Sequence, residues 1–183
     1  MAGRLVFDTA LGFVALAWSD TGLTRLALPQ ASRGAAERLA AKWTDTADAE
    51  APRAPFVEEA MRLVRSYADG ATVDFSTLPF DLSGIDPFRR SIYAAALKLR
   101  QGEVTTYGEL AERAGFPKMA RETGQALGRN PLPLVIPCHR ILAAGGKIGG
   151  FSAPGGAATK ERLLAHEGIL LQAPAPAQAA FPF

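Results

Sequence analysis

Cys138 and His139 are the residues whose types and placing could do chemistry, because the chain holds one cysteine and two histidines and one histidine directly follows the cysteine. A thiol with a pKa of about 8.5 is mostly protonated at neutral pH, so a reactive cysteine needs a neighbour that takes its proton or stabilises the thiolate. His139 and Glu167 are the candidates, since a carboxylate can orient an imidazole and hold it as a cation. Each has a plainer reading. Free cysteine is among the most buried residue types and packs as a small apolar side chain, and Glu167 by its position alone reads as a surface residue. A lone cysteine forms no internal disulfide, and with two histidines it makes no zinc cluster. The thiol is thus free for chemistry, with no metal and no cofactor expected.

The elements around the thiol must position it. Leu132, Leu134, Val135 and Ile136 form an apolar run that reads as a buried strand delivering Cys138 to its end, with Pro137 stopping the ladder. Neighbouring side chains of an extended segment point to opposite faces, so a water or a local turn is expected between His139 and the sulfur. Upstream, Asp86-Pro87 supplies a cap and a first-turn proline for a helix with Phe88, Ile92, Ala95, Ala96 and Leu99 on one face, ended by Gly102. Thr106-x-x-Glu109 is a capping-box signature for a short helix over 107–114, Gly115-Phe116-Pro117 turns the chain, and a second helix over 118–127 closes at Gly128. Together they predict a helix-turn-helix. Downstream, the glycine-rich stretch 145–152 lacks the Lys-Ser/Thr of a phosphate cradle and reads as a pliable pocket wall, followed by a helix over 158–167 that ends at Gly168.

The first part of the chain shows short apolar runs at 5–7, 12–18 and 23–28 separated by turn formers, then helical stretches at 35–43 and 55–68, the second with Pro55 in its first turn and Gly70 past its end. This predicts an α/β N-terminal domain over 1–82 that serves as a scaffold, joined through a linker at 74–83 to a mainly α C-terminal domain over 83–171, with a loosely ordered Ala/Pro-rich tail at 172–183. The C-terminal domain should carry the helix-turn-helix in a winged-helix-like arrangement with a short active-site strand. Of 183 residues, 48% are hydrophobic and 21% charged, ordinary for a soluble globular chain, and neither a membrane span nor a signal peptide is apparent. The net charge of +2 is unevenly spread: residues 1–87 carry 8 basic and 12 acidic side chains, 88–140 carry 9 and 4, and 141–183 carry 3 and 2. A basic excess in the segment leading to the cysteine is what a nucleic-acid-facing surface would show, although such clusters also serve as solvated faces.

The stretch Gly128-Arg129-Asn130-Pro131-Leu132-Pro133-Leu134-Val135-Ile136-Pro137-Cys138-His139-Arg140-Ile141 closely resembles the O6-alkylguanine-DNA alkyltransferases, the methylated-DNA–protein-cysteine methyltransferase family. The likeness extends upstream through Gly102-Glu103-Val104-Thr105-Thr106-Tyr107-Gly108-Glu109-Leu110-Ala111. Downstream it continues through Lys160-Glu161-Arg162-Leu163-Leu164-Ala165-His166-Glu167-Gly168, so that it is strong from Asp86 to Gly168 and loose before that.

The resemblance implies a relay of cysteine, water, His139 and Glu167, with Cys138 attacking the alkyl carbon of an alkylated guanine to give a thioether that consumes the protein. Asn130 matches the asparagine that joins the recognition helix to the active-site strand. Arg121 matches an intercalating arginine that fills the gap left by a flipped base, and Tyr107 a tyrosine that crowds the phosphate. Ala120 and Gly124 match small residues that let the helix approach the minor groove, and Arg129 falls among the DNA-facing positions. Pro133, the backbone around Val135 and Cys138, Gly149, Phe151 and Ser152 match positions that hold the guanine. Glu122 and Thr123 depart from the pattern, where a small and an apolar residue are usual, and a carboxylate near phosphates should weaken binding. The expected partner is double-stranded DNA containing alkylated guanine, bound by a monomer with no membrane involvement, in the cytoplasm or in the nucleus of a eukaryote. A protein that flags alkylated bases without repairing them would share the architecture but replaces the reactive cysteine, and a cysteine hydrolase would need an oxyanion hole that nothing here suggests.

Overall fold

The computed structural model describes residues 2–43 and 53–171; the expected tail at 172–183 lies outside them. Strands β1 (Gly3–Thr9), β2 (Gly12–Trp18) and β3 (Leu23–Leu26) form an antiparallel meander in the order β1-β2-β3, as the spacing of apolar runs and turn formers predicts. The middle strand is covered on both faces. Its small side chains Ala15 and Ala17 are fully buried, and Ala15 packs with Ala27 and Ala40 beside α1 (Arg33–Ala40). Its large side chains Val14, Leu16 and Trp18 join the main core with α2 (Pro55–Ala68). That helix buries Val57, Ala60, Met61, Leu63, Val64, Tyr67 and Ala68, a three-and-four spacing that turns one stripe to the main core.

Residues 74–83, expected as a linker, are packed against the sheet. Leu23 N–H donates to Pro79 O and Asp81 N–H to Leu23 O, both at 2.9 Å, so the segment lies along the β3 edge, with Phe75 and Leu78 buried. Gly22 permits this approach, since a Cβ there would sit 2.7 Å from the Pro79 backbone. One apolar cluster runs through both halves of the chain as a result, from Phe7 and Val64 to Ile92, Leu110, Ile136 and Leu163.

Helix α3 (Pro87–Ala96) starts where predicted, with the Asp86 side chain accepting from Arg89 N–H at 2.9 Å, and it buries Ile92, Tyr93, Ala95 and Ala96. The capping box at Thr106 and Glu109 closes in both directions and opens α4 (Tyr107–Arg113). After the turn at Gly115, α5 (Ala120–Leu127) completes the helix-turn-helix, two residues later than the composition predicts, because Lys118 takes a left-handed conformation at φ 67°. Within α5, Thr123 is fully buried and its hydroxyl has no hydrogen-bond partner. Thr123→Val should therefore raise stability by about 1 kcal/mol, since a buried unpaired hydroxyl is replaced by an isosteric methyl; an unchanged or lower melting temperature by calorimetry would contradict this.

The run 132–136 is buried as expected, but it is no strand. Its chain coils through tight turns, with Ile136 N–H donating to Leu132 O at 2.8 Å and Leu134 at φ 73°. The reason lies in Pro131, Pro133 and Pro137, which in an extended chain would all face one edge and leave it only the Val135 N–H as a donor. The strand at the site is instead β5 (Ile141–Leu142), just after the cysteine, paired in parallel with β4 (Thr105–Thr106). The last helix, α6 (Gly156–His166), is closed by Gly168 at φ 79°. No helix among the described residues is long and apolar enough to cross a membrane.

Candidate active site

Cys138 begins a 3-10 turn, Cys138–Arg140, in which all three residues are buried. The turn is the local device expected between the thiol and His139. Asn130 braces the loop that leads into it, donating from Nδ2 to Ile136 O at 2.7 Å and accepting at Oδ1 from Leu132 N–H at 2.9 Å. Leu26 N–H of β3 also donates to Pro131 O at 2.9 Å, so the first sheet supports the same loop.

Behind the cysteine, His139 Nε2 lies 2.7 Å from Glu167 Oε1, and both side chains are inaccessible to solvent. A carboxylate only accepts, so Nε2 carries the proton and Nδ1 presents its lone pair. Nδ1 is buried and has no protein partner. Glu167 also accepts from Arg140 Nε at 2.8 Å on Oε2, and on Oε1 from an Arg140 terminal nitrogen at 3.0 Å and from Tyr67 Oη at 3.1 Å. Arg140 completes its own set by donating to Leu99 O at 2.7 Å.

The charges follow from this packing. Burial pushes the Glu167 carboxyl up, but donors from His139 and Arg140 outweigh it and hold the group at about 2. Burial holds the His139 imidazole below its ordinary value against the pull of Glu167, so the resting ring is neutral. The Cys138 thiol is pushed up by burial, opposed by an Asn130 hydrogen bond, the charge of Lys160 and the local backbone N–H groups. The thiol therefore rests protonated beside a base whose conjugate acid has a ready counter-ion. Lys160 is fully buried on α6, donates to Ile141 O and has its pKa lowered by burial to about 8, while a Cys138 thiolate would raise it.

In front of the cysteine, two clefts meet. One, of about 520 Å³, is lined by Tyr107, Ala120, Arg121, Gly124, Phe151, Ser152 and Cys138 among others. The other, of about 440 Å³, brings Arg129, Asn130, Pro133, Phe151 and Ser152 to the same thiol and reaches Arg25 and Trp43 of the N-terminal half. Arg121 is exposed on α5, and Tyr107 Oη donates to Gly150 O at 3.2 Å, tying α4 to the glycine-rich wall. Gly149 lies under the Tyr107 ring, where a Cβ would come within 3.4 Å of Tyr107 Cε2. The Val135 side chain lines a different cleft, with Phe75 and Arg140. Glu122 faces away from the thiol into a depression it shares with Arg89 and Arg129.

Arg140, Lys160 and Tyr67 carry no role in the sequence reading. For Lys160 a signal exists: 160, 163, 164 and 167 follow helical spacing, so Lys160 and Glu167 share the buried stripe of Leu163 and Leu164. Arg140 adjoins the Cys-His pair but nothing local marks it as buried. Tyr67 stands 100 residues before Glu167 and has no local signal.

A single buried cysteine thus stands with a His–Glu pair behind it and a cleft bordered by the helix-turn-helix in front of it. The family model for the 6-O-methylguanine DNA methyltransferase DNA binding domain matches residues 87–169. The chain is 33% identical to the methylated-DNA–protein-cysteine methyltransferase of Methanothermobacter thermautotrophicus, covering 87% of this chain and 81% of that one. It is 36% identical to the protein of the same name from Mycolicibacterium paratuberculosis, over 87% and 88% of the two chains. Among solved structures, the Mycobacterium tuberculosis O6-methylguanine methyltransferase superposes with a TM-score of 0.71 at 31% identity, covering 96% of this chain and 97% of that one. A Mycobacterium tuberculosis OGT in complex with DNA gives 0.70 at 32%, covering 90% and 92%. The chain belongs to the methylated-DNA–protein-cysteine methyltransferase family.

Proposed function

We propose that this protein repairs double-stranded DNA by moving an alkyl group from O6 of guanine to Sγ of its own Cys138, irreversibly and once per molecule. The observation that carries this reading is the position of Cys138, which faces the cleft bordered by α5 on one side and has the His139–Glu167 pair on the other. His139 Nδ1 takes the thiol proton through a bridging water, and the imidazolium is held by Glu167. The thiolate then attacks the alkyl carbon; a carbon–sulfur bond forms, the carbon–oxygen bond breaks, and guanine leaves with that electron pair and regains a proton. A thioether is not reversed by ordinary thiols, and the chain has no second cysteine to resolve it. Lys160 favours the thiolate by its charge.

The alkylated base must leave the duplex to reach the thiol, at roughly a few kcal/mol. Arg121 fills the space it vacates, Ala120 and Gly124 let α5 approach the minor groove closely, and Tyr107 crowds the phosphate at the cleft mouth. Arg129 adds a phosphate contact near the pocket. Phe151, Ser152, Pro133, Gly149 and the backbone around Val135 hold the extruded guanine. Glu122 shares its depression with Arg89 and Arg129, so its charge is set beside cations and away from the thiol cleft. One chain supplies every part, so the working unit is a monomer, acting wherever the DNA is kept, in the cytoplasm or a nucleus. A lesion-flagging role without transfer leaves the Cys138 thiol and its buried relay without a purpose.

Intact mass after incubation with an oligonucleotide carrying O6-methylguanine tests this. The mass should rise by one methyl group and stop, with the label on Cys138; turnover of excess lesion by a small amount of protein would overturn the single-use mechanism.

A further inference from the structure

We propose that Tyr67 of α2 is a positioning residue for alkyl transfer, its hydroxyl holding the Glu167 carboxylate where His139 can use it; this rests on the relay proposed above. The N-terminal half would then be part of the active machinery and not a scaffold alone.

The geometry makes the case. Glu167 Oε1 is shared by three donors, His139 Nε2 at 2.7 Å, an Arg140 nitrogen at 3.0 Å and Tyr67 Oη at 3.1 Å. Arg140 and His139 compete for that oxygen. A guanidinium fork binds a carboxylate through two nitrogens, and nothing in the 3-10 turn itself stops the carboxylate from settling fully onto Arg140. Tyr67 is the donor that comes from a separate element, and it is firmly placed: its side chain is 1% exposed, its ring packs on His166 at 5.0 Å and on Phe75 at 6.1 Å, and its carbonyl accepts from His166 Nε2 at 2.6 Å. Two neighbouring residues at the end of α6 are thus pinned to one residue of α2. Without the hydroxyl, Glu167 turns towards Arg140, His139 loses its acceptor, and the ring becomes a weaker base for the thiol. The other charged or titratable groups near this system are Lys160 on α6, which faces Cys138 and His139, and Tyr93 and Tyr107 on α3 and α4, which face Cys138. None of them touches the Glu167 carboxylate.

The test is Tyr67→Phe, which keeps the ring and removes one oxygen. Alkylation of Cys138 is followed from pH 6 to 10 with two donors, the O6-methylguanine oligonucleotide and iodoacetamide, which needs neither DNA nor a guanine pocket. With both, the variant should react about tenfold more slowly at pH 7, the scale of one hydrogen bond to a charged group. The gap to the parent rate should narrow as the pH rises, because a thiol that loses its proton directly to hydroxide depends less on the relay. In addition, Tyr67→Phe should cost little further rate when added to Glu167→Gln, since both act through the same carboxylate. A loss equal at every pH, a parental rate throughout, or full additivity with Glu167→Gln would each overturn the assignment. A parent protein that reacts with iodoacetamide but not with the oligonucleotide would instead overturn the proposed function and leave the role of Tyr67 standing on the iodoacetamide profile.

Discussion

Cys138→Ser should bind lesion-bearing duplex DNA and transfer nothing, while Arg121→Ala should lose most of its reaction with the duplex and keep its reaction with a free alkylguanine base. The first change removes the nucleophile at the back of the cleft and leaves α4, α5 and the pocket wall intact, so binding survives. The second leaves Cys138, His139 and Glu167 untouched, because Arg121 is exposed on α5 and lines only the cleft mouth. What it removes is the side chain that occupies the gap behind an extruded base. An uncompensated cost of roughly 3 kcal/mol corresponds to about a hundredfold in rate on duplex substrate. Free base needs no extrusion and should react nearly as fast as with the parent. Single-turnover rates on the two substrates decide the matter, and equal losses on both would mean that Arg121 supports the reacting groups themselves.

Glu167→Gln should cost both activity and stability, and the two losses have different causes. An amide cannot hold the His139 cation, so transfer at neutral pH should fall by about two orders of magnitude, the scale of a positioned acid–base group. The same change strips Arg140, only 6% exposed in its side chain, of its counter-ion. Leaving a buried charge unpaired costs about 3–5 kcal/mol, enough to lower the melting temperature visibly.

The pH dependence of folding should separate the contributors. Glu167 has a folded pKa of about 2 against an ordinary value of 4.5, so its stabilisation is complete above 4.5 and is lost as pH falls through about 2, on the order of 3 kcal/mol in all. His139 acts in the same direction. Its folded pKa is held below 6.5 by burial, so the unfolded chain takes up a proton first as pH drops past 6.5. Urea unfolding of the parent should therefore show stability declining from about pH 6.5 downward. The Glu167→Gln variant should start lower and lose the part that falls between 4.5 and 2; identical slopes for the two proteins in that window would contradict the carboxylate's place in the network.

Whatever rests on neighbours a few residues apart could be read directly from the chain. Asp86-Pro87, the Thr106/Glu109 capping box, Pro55 at the start of α2 and Gly168 after α6 act through hydrogen bonds or backbone angles within one helical turn, and the structure has each helix start or end at or within a residue or two of those marks. The Cys138-His139 pair and the helix-turn-helix before it were legible for the same reason. The 132–136 run was misread because burial and extension leave the same apolar pattern; three prolines on one edge were the deciding fact, and they favour turns. The Lys160/Leu163/Leu164/Glu167 stripe was present in the helical spacing, but a charged residue on an apolar face can be told from an error of register only when its partners are known. Those partners come from far along the chain. Arg140 meets Leu99, Glu167 meets Tyr67, and His166 meets the Tyr67 carbonyl because the core that runs from Val64 through Ile92 and Ile136 to Leu163 packs α2, α3 and α6 around one 3-10 turn. Residue types and local spacing determined which groups could react; only the packing of those helices decided which base, which carboxylate and which cation stand behind the thiol, because a buried charge is set by what surrounds it and not by what adjoins it in sequence.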